Sequence, residues 1–480
     1  MKRMTKYCII IANIIFAIIF SGANAQETPA RLTLQQAVDI AVKNNIQVKQ
    51  SSLRLETADI NRQQARAYML PNLNGNFNYG WNNGRNIDPF TNTYVNQQIQ
   101  GSNVGVSGQW NLFNGLQVHN SIKQQTLSQD ASKMDLQQTK ENTTLLVIMN
   151  YLQVLNNEDL LQNVHNQSEV TRKQVERLDI MVKEGAVGAY LLADMKGQLA
   201  NDQVAIVNAS NSLELSKLNL CQLLNIPFNK ALQLERNDVP MPAGIYPGNE
   251  AEIIQTALNN LALIKASDLR IKSAEKGIKV EQASYYPLIG LYGNLFSNYS
   301  SAATLNTPTT IVDQPTSDYV LVNNIKNPVI SPVQNYTSEN IKYGNQMKNN
   351  IGSSFGVAAQ IPLFNNFRTR FRVAQAKVNL KTAEVERENT ELQLKQNIEQ
   401  AYANMTASFN RYKAYLDQHT NYQESFRANE IRFNAGTINS VEYLTAKNNL
   451  DRATINLTQV RYEYIFRTKI LDYYQGKLVL

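Results

Sequence analysis

The chain has 480 residues, with 46 basic against 39 acidic side chains and only two cysteines. The net charge of +7 loses three if Lys2, Arg3 and Lys6 leave with a leader, which is too little to indicate a nucleic-acid partner. Beyond such a leader Cys221 stands alone, so no intramolecular disulfide is available and stability must come from packing and association between copies.

Residues 1–25 read as a secretory signal peptide. Three basic residues precede an apolar run from Tyr7 to Phe20, and Ala23-Asn24-Ala25 offers small residues for cleavage before Gln26. Cys8 lies inside the run rather than at the cleavage point, so a lipidated N-terminus is not indicated. No later apolar run reaches about 18 residues, so any membrane passage must be made by strands.

An opening helix is expected from about Leu34 to Met69, stopped by Pro71. Next, Asn72, Asn74, Asn76 and Asn78 alternate with Leu73, Phe77, Tyr79 and Trp81. Val104, Val106, Trp110 and Leu112 alternate in the same way with Asn103, Ser107, Gln109 and Asn111. The polar stretch Asn82 to Gly101 reads as a loop between these strands. Gln117 to Glu184 contains no glycine or proline and predicts one very long helix. It is followed by the turn Gly185-Ala186-Val187-Gly188-Ala189 and a returning helix with the heptad seam Leu192, Met195, Leu199, Asp202, Ile206, Ala209 and Leu213. Asp202 on that seam predicts a face that is only partly dry.

The chain is then written a second time. Pro71 is echoed by Pro287 at an offset of 216, and Val104-Gly105-Val106 to Asn114 by Phe355-Gly356-Val357 to Asn365 at an offset of 251. Gly185 and Gly436 keep the 251, as do Lys196 and Lys447, so the second half carries a 35-residue insertion between Pro287 and Leu363. The expected organisation is a first repeat over 26–225, a linker over 226–249 with several prolines, and a second repeat over 250–480. The second opening helix runs from about Glu250 to Tyr286, and a longer external loop spans 297–350. The strand Ile289 to Tyr299 alternates poorly, because Tyr292 and Phe296 stand off the expected face. From Leu363 to Ala435 there is again no glycine or proline, which predicts a rod roughly 100 Å long at ~1.5 Å per residue. Ile398, Tyr402, Met405, Phe409, Tyr412, Leu416, Phe426 and Phe433 mark its seam. After the turn Gly436-Thr437-Ile438-Asn439-Ser440, the second return helix carries Tyr443, Ala446, Leu450, Ala453, Leu457, Val460 and Tyr464.

Period-two strands of about ten residues ending in Trp or Tyr fit a transmembrane barrel wall, and also a half-buried sheet in a soluble domain. If they lie in lipid, four strands cannot close a barrel and open edges are not tolerated, so several copies must share the wall.

The order of these pieces resembles the TolC-like outer-membrane efflux protein family over Gln26 to Tyr474. The resemblance is carried by Ala41 with Asn44-Asn45, by Pro71 and Pro287, and by the strand-to-rod motifs Trp110 to Gly115 and Ile361 to Asn366. Its most specific piece is the tip Arg432-Phe433-Asn434-Ala435-Gly436-Thr437 followed by Val441-Glu442-Tyr443-Leu444. It implies a mainly α fold with a membrane β-barrel contribution. Each duplicated half would supply two strands and long coiled-coil helices to a homotrimer with a 12-stranded barrel continuous with an α-helical barrel. It also implies an exit duct in the outer membrane for drugs, dyes, metal ions or proteins. The glycine-turn tips would form a periplasmic mouth engaged by an adaptor (membrane fusion protein), with an inner-membrane transporter behind it. No cofactor and no chemistry are implied.

By the same resemblance Glu442 would line the mouth as a ring of three carboxylates favouring cations. Arg432 and Phe433 match a basic-aromatic pair that would hold neighbouring helices closed. The first repeat departs from this, with Met181-Val182 for that pair and Leu191 for Glu442, and Ile438 stands where some relatives carry a tip arginine. Two rival classes remain. An enzyme lacks support, since His119, His165 and His419 fall on the rods without metal-ligand spacing or a nucleophile elbow. A periplasmic or surface coiled-coil protein without a channel explains the rods but leaves the alternating strands without a purpose.

Overall fold

A computed structural model describes residues 31–87, 92–96, 98–236 and 244–477; the signal peptide and the linker prolines Pro240 and Pro242 lie outside them. The elements follow the duplicated order. In the first half come α1 (Leu34–Asn44), α2 (Ile46–Ala67), β1 (Asn72–Asn82), β2 (Arg85–Ile87), β3 (Tyr94–Asn96), β4 (Ile99–Asn114), α3 (Gln117–Lys183) and α4 (Ala189–Leu224). The second half has α5 (Glu250–Asn260), α6 (Ala262–Gln282), β5 (Leu288–Ser300), β6 (Thr304–Val322), β7 (Ile325–Asn340), α7 (Tyr343–Asn349), β8 (Gly352–Gln360), α8 (Arg368–Asn434) and α9 (Ser440–Tyr474). Both rods, α3 and α8, are single helices of 67 residues. No described helix is long and apolar enough to cross a membrane.

Each opening helix, expected to be continuous, is broken once, and at the same place in the repeat. Asn45 and Leu261 both leave the helix in extended backbone, at φ −60°, ψ 132° and φ −66°, ψ 138°. The two side chains use the break differently. Asn45 Oδ1 accepts from the backbone N–H of Gln47 at 2.8 Å and so caps α2, whereas Leu261 turns into the core. Period counting cannot see such a break, because the apolar spacing resumes in phase on the far side.

The described chain forms two compact units. The first combines the described residues up to Thr57 with Gln129–Arg270 and the chain from Ala383 onward. Its helices pack around two clusters that repeat each other. Val38, Ala41, Val147, Ile148, Tyr151, Leu220 and Leu224 form the first; Ile253, Ala257, Leu394, Ile398, Met405 and Leu471 form the second. Each fully buried Leu, Ile or Met contributes about 1.5–3 kcal/mol, so these seams dominate the unit's stability. The linker is not merely a tether: Leu232 and Leu234 enter the first cluster, and Leu32 and Leu234 form a parallel bridge. The Tyr151 hydroxyl donates to the Glu235 carbonyl beside it at 2.7 Å.

The second unit, Ala58–Ser128 and Ile271–Thr382, holds the sheet. Its order is β1-β4-β5-β8, antiparallel throughout, so β1 and β8 are the edges. The registers carry one polar face across all four strands. Asn74 lies opposite Ser107, Ser107 opposite Asn294, and Asn294 opposite Ser354. Asn103 links this face sideways, accepting from Asn76 at 3.1 Å and donating to Asn298 at 2.8 Å. The other face is apolar and bare: Leu73 is 72%, Phe77 64%, Phe355 89% and Val357 65% exposed. The short helix α7 covers the end of that face, where Ser297 Oγ donates to the Met347 carbonyl and Tyr299 lies against Tyr343.

Tyr292 and Phe296 do stand on the polar face, and the register gives the reason. Their neighbours on β8 are Gly356 and Gly352, and each side chain lies over its glycine so closely that a Cβ there would meet the Tyr292 hydroxyl or the Phe296 ring at 2.6 Å. The stretch expected as a loop over 297–350 is mostly strand. β6 and β7 form a long hairpin turned by Asn323-Asn324, both at positive φ, as a two-residue type I′ turn demands. Its prolines are tolerated because each strand of a lone hairpin has a free edge, and the register shifts lie beside Pro308 and Pro315. At both strand-to-rod junctions two consecutive residues are left-handed, Gly115-Leu116 and Asn366-Phe367, 251 positions apart.

Candidate functional site

The two helical hairpins of the first unit end in turns with one backbone design. Gly185 and Gly436 have φ of +70° and +74°. The N–H of Ala186 donates to Met181 O at 2.8 Å and that of Thr437 to Arg432 O at 2.9 Å, the wide pair of a Schellman turn. Gly185 and Gly436 themselves donate to Val182 O and Phe433 O, each at 3.0 Å. The glycine is required at both because its neighbours in the turn need left-handed backbone there. Val187 and Ile438, also 251 apart, fold back under their turns onto an apolar cluster of Leu178, Met195, Phe433 and Tyr443.

The two turns then diverge. Gly188 begins α4 without a side-chain cap, whereas Asn439 Oδ1 caps α9 by accepting from the Glu442 N–H at 2.9 Å. Ala186, Gly188 and Ala189 in the first turn and Thr437 and Asn439 in the second are exposed. Ser440 is buried, its Oγ donating to Asp194 Oδ2 of the other hairpin at 2.8 Å. Glu442 is exposed in the first turn of α9, where the helix dipole favours its charge.

Arg432 and Phe433 are separated by the helix. Arg432 faces solvent, while Phe433 stacks on Tyr443 of its own hairpin with ring centroids 4.6 Å apart. The polar ties between hairpins run through other residues. Arg177 of α3 donates to the Asn434 carbonyl at 2.9 Å, neutralising the C-terminal end of α8. Deeper in, Lys447 of α9, only 2% exposed at its side chain, lies 3.3 Å from Asp202 of α4 and 2.6 Å from Asp451. Asp202 accepts further from Thr171 Oγ1 and from Gln198 Nε2 at 2.8 Å. Burial pushes the Asp451 carboxyl above its ordinary range, against the pull of Lys447. Burial likewise raises the Tyr443 hydroxyl, with the nearby acidic groups adding to it.

Asp202 is thus a buried, fully partnered carboxylate, while Leu192, Leu199, Ile206, Ala209 and Leu213 on the same seam are only partly buried, in keeping with a face that is only partly dry. The buried ion pair was missed, although its sequence signal was present. Lys447 and Asp451 are four apart on one helix, and Asp202 stands on the seam of the other. Nothing in one strand of sequence says that the two return helices touch.

The family described as "Outer membrane efflux protein" matches residues 37–225 and 253–468. Outer membrane protein TolC of Escherichia coli K12 is 23% identical over 447 residues, covering 90% of this chain and 80% of that protein. Outer membrane efflux protein BepC of Brucella suis is 21% identical over 457 residues, covering 93% of this chain and 86% of its own. The crystal structure of the outer membrane protein VceC from Vibrio cholerae superposes with a TM-score of 0.70 at 14% identity, covering 92% of this chain and 96% of that one.

Proposed function

The chain belongs to the outer membrane efflux protein family and is an outer-membrane protein of TolC-like fold, and from this premise we propose that it works as a trimeric exit duct. Three copies supply twelve strands, enough for a closed barrel, and their rods build a helical conduit into the periplasm. The observation that carries this reading is the sheet itself. It exposes a continuous apolar face with Phe355 and Leu73 outward, lines the other with asparagine and serine, and ends in two free edges. An apolar outer face, a polar inner face and no possibility of closing alone are what a shared barrel wall needs. The tips around Gly185 and Gly436 form the periplasmic mouth. There an adaptor docks on the exposed turn residues, and an inner-membrane pump delivers drugs, metal ions, other small molecules or a secreted protein. Three copies of Glu442 ring the mouth and favour cations. The duct contributes passage and no reaction.

Purified protein extracted from outer membranes tests this. A trimer in detergent that forms cation-preferring channels in planar bilayers is the expected result. A protein that stays monomeric and soluble without detergent would overturn it in favour of a periplasmic coiled-coil structural protein.

A further inference from the structure

The duplication does more than double the elements: it predicts how one copy joins the next. Within the chain, β4 of the first half pairs with β5 of the second, and Val104, Val106 and Gln109 lie opposite Ser297, Leu295 and Tyr292. β8 is the repeat of β4 at an offset of 251, and β1 is the repeat of β5 at an offset of 216. The two free edges of the sheet are therefore the repeats of the two strands already paired at its centre. Resting on the proposed trimer, we infer that β8 of one copy pairs antiparallel with β1 of the next in the transposed register. Phe355 then lies opposite Trp81, Val357 opposite Tyr79, Ala358 opposite Asn78, and Gln360 opposite Asn76.

Three features of the chain agree with this register. First, it keeps the faces: Phe355, Trp81, Val357 and Tyr79 fall together on the apolar side, while Gln360 and Asn76 continue the polar one. A slip of one residue would set Phe355 and Val357 against the polar face of β1. Second, cross-strand pairs of aromatic with aromatic or β-branched residues are the stabilising ones, and the register creates two of them from side chains that are bare in one copy. Third, the β4–β5 ladder is interrupted by a bulge between Asn111 and Phe113, and the repeat of Asn111 is Pro362. Pro362 has no N–H to donate, and the transposed ladder breaks where that proline stands.

Slips of two residues would also keep the faces, so the experiment must separate them. Paired cysteines at Ala358→Cys with Asn78→Cys test the register directly; Ala358→Cys with Asn76→Cys or with Gly80→Cys test the two slipped ones. All four side-chain positions have room, and a Cβ at Gly80 meets nothing within 4 Å. Among the described residues the native thiol, Cys221, is buried and does not compete. Opposite residues have Cα atoms about 5 Å apart, whereas a two-residue slip separates them by roughly 8 Å, beyond disulfide reach. Within one copy the two edges are about 14 Å apart across three strand spacings, so an in-chain bond is excluded.

The oligomer is first sized in detergent by native mass measurement, then oxidised and run on a denaturing gel. The expected result is a covalent ladder to the trimer from the Ala358–Asn78 pair and several-fold less from the other two. Preferential bonding through Asn76 or Gly80 overturns the register while leaving the trimer standing. A trimer in which none of the pairs bonds overturns β8–β1 pairing. A monomer before oxidation removes the trimer and this seam together.

Discussion

The tip between α3 and α4 and the tip between α8 and α9 close on a glycine with the same two backbone hydrogen bonds, yet only the second has a capped return helix, a carboxylate three residues past that cap and a buried lysine. Lys196, the repeat of Lys447, is exposed, and Leu191 stands at the repeat of Glu442. Duplication preserved the turn because backbone sterics leave little choice there. The side chains were free to specialise, and the buried ion pair between the return helices was assigned to one copy only.

Removing the buried lysine should have the largest effect. Lys447→Met leaves Asp202 and Asp451 buried without their cation and should cost about 3–5 kcal/mol, read as a large fall in thermal stability by circular dichroism. Lys196→Met should change the melt very little, and equal effects would refute the asymmetry. Gly436→Ala and Gly185→Ala should each cost about 1–2 kcal/mol, and by the same amount, since both have open space around the Cα and only backbone strain to answer for. Asn439→Ala should cost about 1 kcal/mol through the lost cap, while Asn439→Asp keeps it. The aspartate variant is therefore the cleaner probe of adaptor docking, measured as export by otherwise intact cells.

Acid should act on this same asymmetry. Because burial raises Asp451, its contribution to stability is full below the ordinary aspartate value of 3.8 and is lost as pH rises through the raised one. Asp451→Asn should flatten that part of the melting-temperature profile, and an unchanged profile would show that Asp451 does not titrate in the fold. Last, Glu442→Ala should alter stability by well under about 1 kcal/mol, yet lower cation selectivity in single-channel records. Leu191→Ala should leave selectivity alone.

What was legible in the sequence was everything written as period or punctuation. The two rods to within a few residues of their ends, the glycine turns, three of the four strands as alternating runs and the repeat offset all follow from spacing and from residues with restricted backbone. Three kinds of feature were hidden. The breaks at Asn45 and Leu261 keep the apolar phase on both sides. The β6–β7 hairpin looked like a loop because proline normally argues against strands, a rule that weakens when both strands are edges. The Arg177–Asn434 and Lys447–Asp202 ties join elements far apart in sequence, and no local pattern records which helices become neighbours. The off-face Tyr292 and Phe296, in contrast, were seen as anomalies and needed only the glycines across the ladder to explain them.

The β6–β7 hairpin leaves the chain after Ala303 and rejoins it at Ile341, and the N–H of Ile341 donates to the Ala303 carbonyl at 3.0 Å. The whole excursion therefore departs and returns through a single closed doorway. Whatever occupies the segment beyond that doorway can be lengthened, trimmed or exchanged without asking the sheet to move. The second repeat thus carries a ready socket for foreign sequence.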